Sequence, residues 1–294
     1  MEVFKEGLYP ATVTPFDSNG AFDSDKLVRL MERNLAEGAA GFLIGGSSAE
    51  CFLLTREERE AALEVAATFK GRTRLIAHVG ALATGEACAL AREAMRLGYH
   101  RVAATPPFYY KHPPSAIRRY YERIAEAAGM PVIVYNFPGN TGVTFDLRDP
   151  EYAALFSGGA VCGVKHTSQA LFQMERFMAL YPDLEIYNGY DETMICAFAY
   201  GARASIGSTF NCMLGPYERL RQAILAGDMD EARRLQHRCN DAMEAMCRAG
   251  LFPAIKYVLE RQGCSCGNPR EPLLPLGEDG KKIVDAACAW LWTD

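Results

Sequence analysis

Few residues of this chain are equipped for chemistry, and they stand at recurring places. Of eight lysines, one, Lys165, closes the apolar run Val161-Cys162-Gly163-Val164. Apolar surroundings disfavour an ammonium, and a neutral amine attacks a ketone to form a Schiff base. The other reading is a lysine that snorkels to solvent or pairs with a carboxylate. Tyr135 closes a second apolar run, 30 residues before Lys165. A phenol beside an amine and a carbonyl can carry protons between them, or it can simply anchor a loop. Ser47 and Ser48 follow the pair Gly45-Gly46. Exposed amides and two hydroxyls would hold a carboxylate without a buried cation, yet the same residues suit an ST-turn or a helix N-cap. Asp191 and Glu192 could grip several hydroxyls of a polyol, or cap a helix and favour its dipole. Tyr109 and Tyr110 fit a pocket wall or a subunit contact equally well. His166 has no triad partner in the sequence and receives no role.

These residues need elements that bring them together. Short apolar runs occur at Tyr9–Val13, Gly41–Ile44, Arg74–Val79, Arg101–Ala104, Val132–Tyr135, Val161–Lys165, Glu185–Asn188 and Ala204–Ile206. Between them lie amphipathic stretches with helical spacing, such as Leu27, Leu30, Met31 and Leu35, broken only by Asn34. Thr55-Arg56-Glu57-Glu58 reads as a capping box, Asp23 and Thr84 as N-caps, and Gly38, Gly71, Gly98 and Gly129 as helix stops. Eight strand–helix units predict a parallel sheet, and their near-equal length suits a (β/α)8 barrel. No Gly-x-Gly-x-x-Gly follows the first strand, which weakens a dinucleotide-binding sheet. From Tyr217 to Gln262 the pattern is helical, with breaks at Gly227 and Gly250, and a last helix is predicted from Gly280. The reading is an α/β barrel over residues 1–216 with appended C-terminal helices over 217–294, together one structural domain. In such a barrel, function collects at the C-terminal strand ends. Lys165, Tyr135, Ser47, Ser48, Asp191 and Glu192 all lie there.

Composition narrows the classes. The chain has 294 residues, a net charge of −5 and 49% apolar residues, enough for a sizeable core. Mild acidity argues against nucleic-acid binding, and no apolar stretch approaches the roughly 20 residues that span a bilayer. Met1-Glu2-Val3-Phe4-Lys5-Glu6 lacks the features of a secretory signal, so a cytosolic protein is expected. The ten cysteines include no Cys-x-x-Cys. Cys264-Ser265-Cys266 could be a metal or redox pair, but scattered reduced thiols are the reading adopted. No His/carboxylate cluster suggests a metal.

Taken together, Thr12-Val13-Thr14-Pro15-Phe16, Gly45-Gly46-Ser47-Ser48-Ala49-Glu50, Tyr135-Asn136-Phe137-Pro138 and the Lys165 strand end resemble the N-acetylneuraminate lyase / dihydrodipicolinate synthase family of class I aldolases, nearly end to end. Gln173-Met174-Glu175, Tyr187-Asn188-Gly189-Tyr190-Asp191-Glu192 and Ile206-Gly207-Ser208-Thr209-Phe210-Asn211 resemble its lyase branch. The resemblance implies a cofactor-free barrel enzyme, usually tetrameric, that cleaves N-acetylneuraminate reversibly to pyruvate and N-acetylmannosamine. It implies that Lys165 forms the imine with pyruvate. Tyr135 would shuttle the proton through Ser47 and a Tyr109 lent by a neighbouring subunit. Ser47 and Ser48 would hold the pyruvate carboxylate, and Thr167, Gly189, Asp191, Glu192 and Ser208 would contact the sugar chain.

The alternatives are another 2-oxo sugar-acid aldolase, the synthase, or a non-catalytic barrel that binds an oxo acid or sialic acid. The synthase branch usually carries an arginine two residues beyond the proline of its Tyr-Asn-x-Pro motif, where this chain has Asn140. A non-catalytic barrel would be expected to have lost Lys165 or Tyr135. The lyases commonly read Ser-Thr-Gly-Glu where this chain reads Ser47-Ser48-Ala49-Glu50, and Ala49 requires a turn with no positive φ at that position. His166 stands where a glutamine is common.

Overall fold

The computed structural model describes residues 5–293; Met1 to Phe4, on which part of the N-terminal reading rests, lie outside the described residues. All eight predicted strands form: β1 (Gly7–Pro10), β2 (Gly41–Ile44), β3 (Arg74–His78), β4 (Arg101–Ala104), β5 (Val132–Asn136), β6 (Val161–His166), β7 (Glu185–Asn188) and β8 (Ala204–Gly207). They pair in parallel in the order β1-β8-β7-β6-β5-β4-β3-β2. Backbone bonds from Ala40 to Leu8 (2.9 Å) and from Thr12 to Leu43 (3.0 Å) join β2 to β1 and close the barrel. The first strand lies earlier than the expected Tyr9–Val13. Its ladder ends at Pro10, because beyond it the chain bonds alternately to Gly207 and Leu43 along the barrel rim.

The return helices are α1 (Ser24–Ala36), α2 (Arg56–Ala67), α3 (Thr84–Leu97), α4 (Pro114–Ala128), the short α5 (Pro138–Thr141), α6 (Pro150–Ser157), α7 (Leu171–Leu180), α8 (Met194–Ala199) and α9 (Phe210–Leu225). After them come α10 (Met229–Ala249), α11 (Leu251–Arg261), α12 (Glu278–Cys288) and α13 (Trp290–Thr293). Position 217 therefore falls inside α9. Asp23 caps α1 by accepting from the Lys26 N–H, and Thr55 and Glu58 form the reciprocal capping box of α2. Thr84 is instead the first helical residue of α3, behind Ala83, which has no side chain to bond. Gly98 and Gly129 end α3 and α4 in the left-handed conformation. Gly38 closes α1 in the same way, with φ 99° and bonds from its own N–H to the Leu35 carbonyl (3.1 Å) and from the Ala39 N–H to the Asn34 carbonyl (3.0 Å), whereas α2 ends ahead of Gly71.

Two apolar layers follow from strand alternation. Tyr9, Leu43, Ile76, Ala103, Ile133, Tyr187 and Ile206 fill the barrel interior, while Leu75, Val102, Val134 and Val164 pack outward against the helices. One irregularity sets the register of the chemistry. Val132 pairs with Val161 but Ile133 pairs with Gly163, so Cys162 is an extra residue in β6. Beyond that bulge Tyr135 lies opposite Lys165, and Lys165 opposite Tyr187. A one-residue slip would turn Lys165 to the other face.

Gly163 is required at the bulge: a Cβ there would lie 2.5 Å from the Glu185 carbonyl oxygen, a backbone atom with no freedom to retreat. Gly163→Ala is expected to lower the unfolding free energy in urea titration by about 1–3 kcal/mol, the range for overpacking. Gly85→Ala in α3, where nothing lies within 4 Å, should stay within about 0.5 kcal/mol of the parent.

Candidate active site

The barrel brings Lys165 and Tyr135 side by side. Both are buried, and the Lys165 Nζ lies 3.8 Å from the centroid of the Tyr135 ring. Among the described residues no carboxylate forms an ion pair with Lys165, so the pairing alternative is not realised. Nor does the side chain snorkel, being only 3% exposed. The Tyr135 ring stacks on Phe137, with the planes 7° apart, and meets His78 edge-on at 5.8 Å.

Ser47 and Ser48 open a single 3-10 turn after β2, with Gly46 in the cap position and no side-chain cap bond. Their hydroxyls are thus not spent as caps. Ser47 Oγ points to the Tyr135 hydroxyl at 3.5 Å, the long end of hydrogen bonding, and Ser48 Oγ bonds Ser208 Oγ at 2.6 Å. Ala49 keeps a negative φ; the left-handed residue of the turn is Glu50, with φ 58°. Tyr109 lies away from this cluster, exposed and edge-to-face with Tyr110 at 5.0 Å.

On the opposite side of the mouth, Gly189 packs so tightly on Thr167 that a Cβ would sit 1.9 Å from its hydroxyl. Asp191 is buried, and its Oδ2 accepts from the Thr209 N–H (2.9 Å) and hydroxyl (2.6 Å). It therefore caps the start of α9 and not its own helix. Burial, reinforced by Glu192, raises its pKa to about 6 against the opposing Thr209 bonds; burial also raises that of half-buried Glu192. Thr167 Oγ1, Asp191 Oδ1 and Glu192 Oε2 are buried atoms without an intramolecular partner. Buried polar atoms normally have one, so all three retain unused hydrogen-bonding capacity.

Several contributors escaped the sequence reading. His78 ends β3 beneath Tyr135; its Nδ1 donates to the Gly45 carbonyl at 2.9 Å, and its Nε2 accepts from the Thr105 N–H at 3.3 Å. Burial, aided by Arg59 and Lys165, drops its pKa to about 3, so it remains neutral. A histidine closing an apolar strand was the available signal. Gln236 and Asn240 of α10 donate to the carbonyls of Asp191 (3.2 Å) and Glu192 (3.1 Å), fixing the loop that carries both acids. They lie more than 40 residues away on an ordinary amphipathic helix, and no local pattern shows them. A cleft of about 470 Å³ runs beside Ser47, bounded by Phe52, Phe108, Phe137, Asn140 and Phe252.

His166 is structural. Its Nε2 donates to the Ala170 carbonyl (3.1 Å) and its Nδ1 accepts from Asn136 (3.0 Å), which also donates to Gln173 (3.2 Å). Burial lowers its pKa from 6.5 to about 4. The unfolded chain thus binds the extra proton between those values and the folded chain does not, so this group's contribution to stability falls as pH falls through that window. Asp191 acts in the opposite sense and is untouched by a change at position 166. His166→Gln, which can keep both bonds, should flatten the acid dependence of unfolding between pH 6.5 and 4.5 by up to about 1.4 kcal/mol per pH unit. Urea titrations across that range measure it.

The profile of the Dihydrodipicolinate synthetase family matches residues 5–289. The N-acetylneuraminate lyase of Rhizobium meliloti (strain 1021) is 38% identical over 291 residues, covering 97% of this chain and 96% of that protein. That of Salmonella agona (strain SL483) is 39% identical over 276 residues, 93% of this chain and 92% of its own length. Among solved structures, a catalytic lysine mutant of the Ruminococcus gnavus sialic acid aldolase superposes with a TM-score of 0.92 at 31% identity, covering 98% of this chain and 95% of that one. With a family match over residues 5–289 and relatives of this identity, the chain belongs to the dihydrodipicolinate synthetase family.

Proposed function

We propose that this protein is a Schiff-base aldolase that cleaves N-acetylneuraminate reversibly to pyruvate and N-acetylmannosamine. The observation that carries the chemistry is the register pair Lys165–Tyr135, an amine without an acid partner beside a phenol. Lys165 Nζ adds to the C2 ketone of the open-chain sugar acid, and Tyr135 gives its proton to the departing hydroxide, so that water leaves and an iminium remains. The Tyr135 oxygen then takes the proton of the C4 hydroxyl. The C3–C4 bond breaks, its electron pair enters the iminium to give an enamine, and the aldehyde leaves. Protonation at C3 and hydrolysis return pyruvate and the free amine.

Ser47 and Ser48 hold the pyruvate carboxylate in this account, and Ser208, bonded to Ser48, steadies that pair. Thr167, Gly189, Asp191 and Glu192 receive the polyol, and the orphaned oxygens of Thr167, Asp191 and Glu192 support this. The lyase assignment also draws on the curated relatives, whose name it shares, and on the catalytic lysine of the Ruminococcus gnavus enzyme. We further place the enzyme in the cytosol as a homotetramer, in which exposed Tyr109 completes the Ser47–Tyr135 relay of a neighbouring copy. No helix among the described residues is long and apolar enough to cross a membrane.

A pyruvate-release assay across a panel of sugar acids tests the reading; N-acetylneuraminate should be the best substrate, and absence of cleavage would reject it. Tyr135→Phe should lose roughly 10²- to 10⁴-fold in turnover, as expected for an acid–base group. Glu192→Gln should lower the specificity constant for N-acetylneuraminate about ten- to a hundredfold, the loss of one charge-assisted bond, and affect a shorter aldehyde acceptor much less.

A further inference from the structure

Among the described residues, Glu50 is the only non-glycine residue with a positive φ, a conformation that disfavours a side chain bearing a Cβ. It closes the turn that presents Ser47 and Ser48: its N–H bonds the Ser47 carbonyl at 3.0 Å, and its own carbonyl accepts from the Leu53 N–H at 2.8 Å. What holds it in that shape comes from the far end of the chain. Glu50 Oε1 lies 2.7 Å from the Nζ of Lys256 in α11, with both side chains at most 2% exposed. Glu50 Oε2 accepts the Arg270 N–H at 2.6 Å. Lys256 Nζ also donates to the Asn268 carbonyl (3.2 Å) and lies over the Phe16 ring (4.3 Å). The Arg270 guanidinium ties Leu53 and Glu58 to the same segment.

A dry ion pair is a poor way to gain stability, because desolvating both charges offsets most of their attraction. Its better use is to fix one arrangement among several. Here the arrangement fixed is a strained turn carrying two hydroxyls of the candidate site. We propose that Glu50 and Lys256 are positioning residues for the oxo-acid half of the site: the appended helices, through this pair, set where Ser47 and Ser48 meet the substrate carboxylate. The proposal rests on the reading of Ser47 and Ser48 as the carboxylate clamp.

Removing one partner leaves a buried charge alone and threatens the fold, so the test replaces both. Glu50→Gln combined with Lys256→Met keeps the shapes and removes the charges. Glu50→Asp keeps the charge, tolerates the left-handed backbone and shortens the reach by one methylene, and it serves where the double variant does not fold. The readout is the pyruvate concentration that half-saturates borohydride trapping on the whole enzyme, alongside the thermal midpoint and the maximal trapped fraction. In the folded variant the half-saturating concentration should rise about tenfold, one charge-assisted hydrogen bond's worth, with the maximal trapped fraction retained. A folded variant with an unchanged half-saturating concentration overturns the proposal. Ser48→Ala separates the two readings. If it leaves half-saturation unchanged, the clamp itself is wrong and the proposal falls with it; if it raises half-saturation while the pair variant does not, the positioning role alone is wrong.

Discussion

A lysine buried without a carboxylate partner among the described residues is the constraint on which the site depends. Among those residues two lysines are buried, and each lies over an aromatic ring. Lys256 also meets a carboxylate at 2.7 Å; Lys165 does not. The ion pair holds Lys256 to one partner, whereas the Lys165 Nζ carries no such tie and is open to a carbonyl carbon. The electrostatic neighbours of Lys165 include His78 and Asp191. His78 stays uncharged, and Asp191 is engaged with Thr209.

That environment is fixed by backbone geometry before any side chain acts. The extra residue Cys162 in β6 decides that Lys165 and Tyr135 share the inward face, and Gly163 allows β7 to lie close enough to pair there. The C-terminal helices then hold the two loops across the mouth. Through Lys256 they reach the β2 turn, and through Gln236 and Asn240 they reach the Asp191–Glu192 segment. The barrel thus places the Lys165–Tyr135 pair, and the appendix places the loops proposed to receive the two ends of a substrate.

Much of this was legible in the sequence because it is local. Alternating strand and helix patterns gave the barrel, Thr55 with Glu58 gave the start of α2, and the strand ends gave Lys165, Tyr135 and the serine pair. Errors arose where a local signal had a rival. Tyr9–Val13 is apolar enough for a strand, but bonding alternates beyond Pro10. Thr84 has a cap's side chain, yet the helix starts one residue sooner. What could not be read depends on distant partners: the β6 bulge, the His78 bridge between Gly45 and Thr105, and the pairing of Glu50 with Lys256. Ala49 is instructive, since the turn does contain a left-handed residue but puts it at Glu50.

The most direct test of the central claim is chemical. The enzyme is incubated with pyruvate, reduced with borohydride, digested, and its peptides are mapped by mass spectrometry. The account predicts one adduct, on the peptide bearing Lys165, and none in Lys165→Arg, whose guanidinium stays protonated at any workable pH. An adduct on Lys256 or any other lysine, or no adduct at saturating pyruvate, would contradict it.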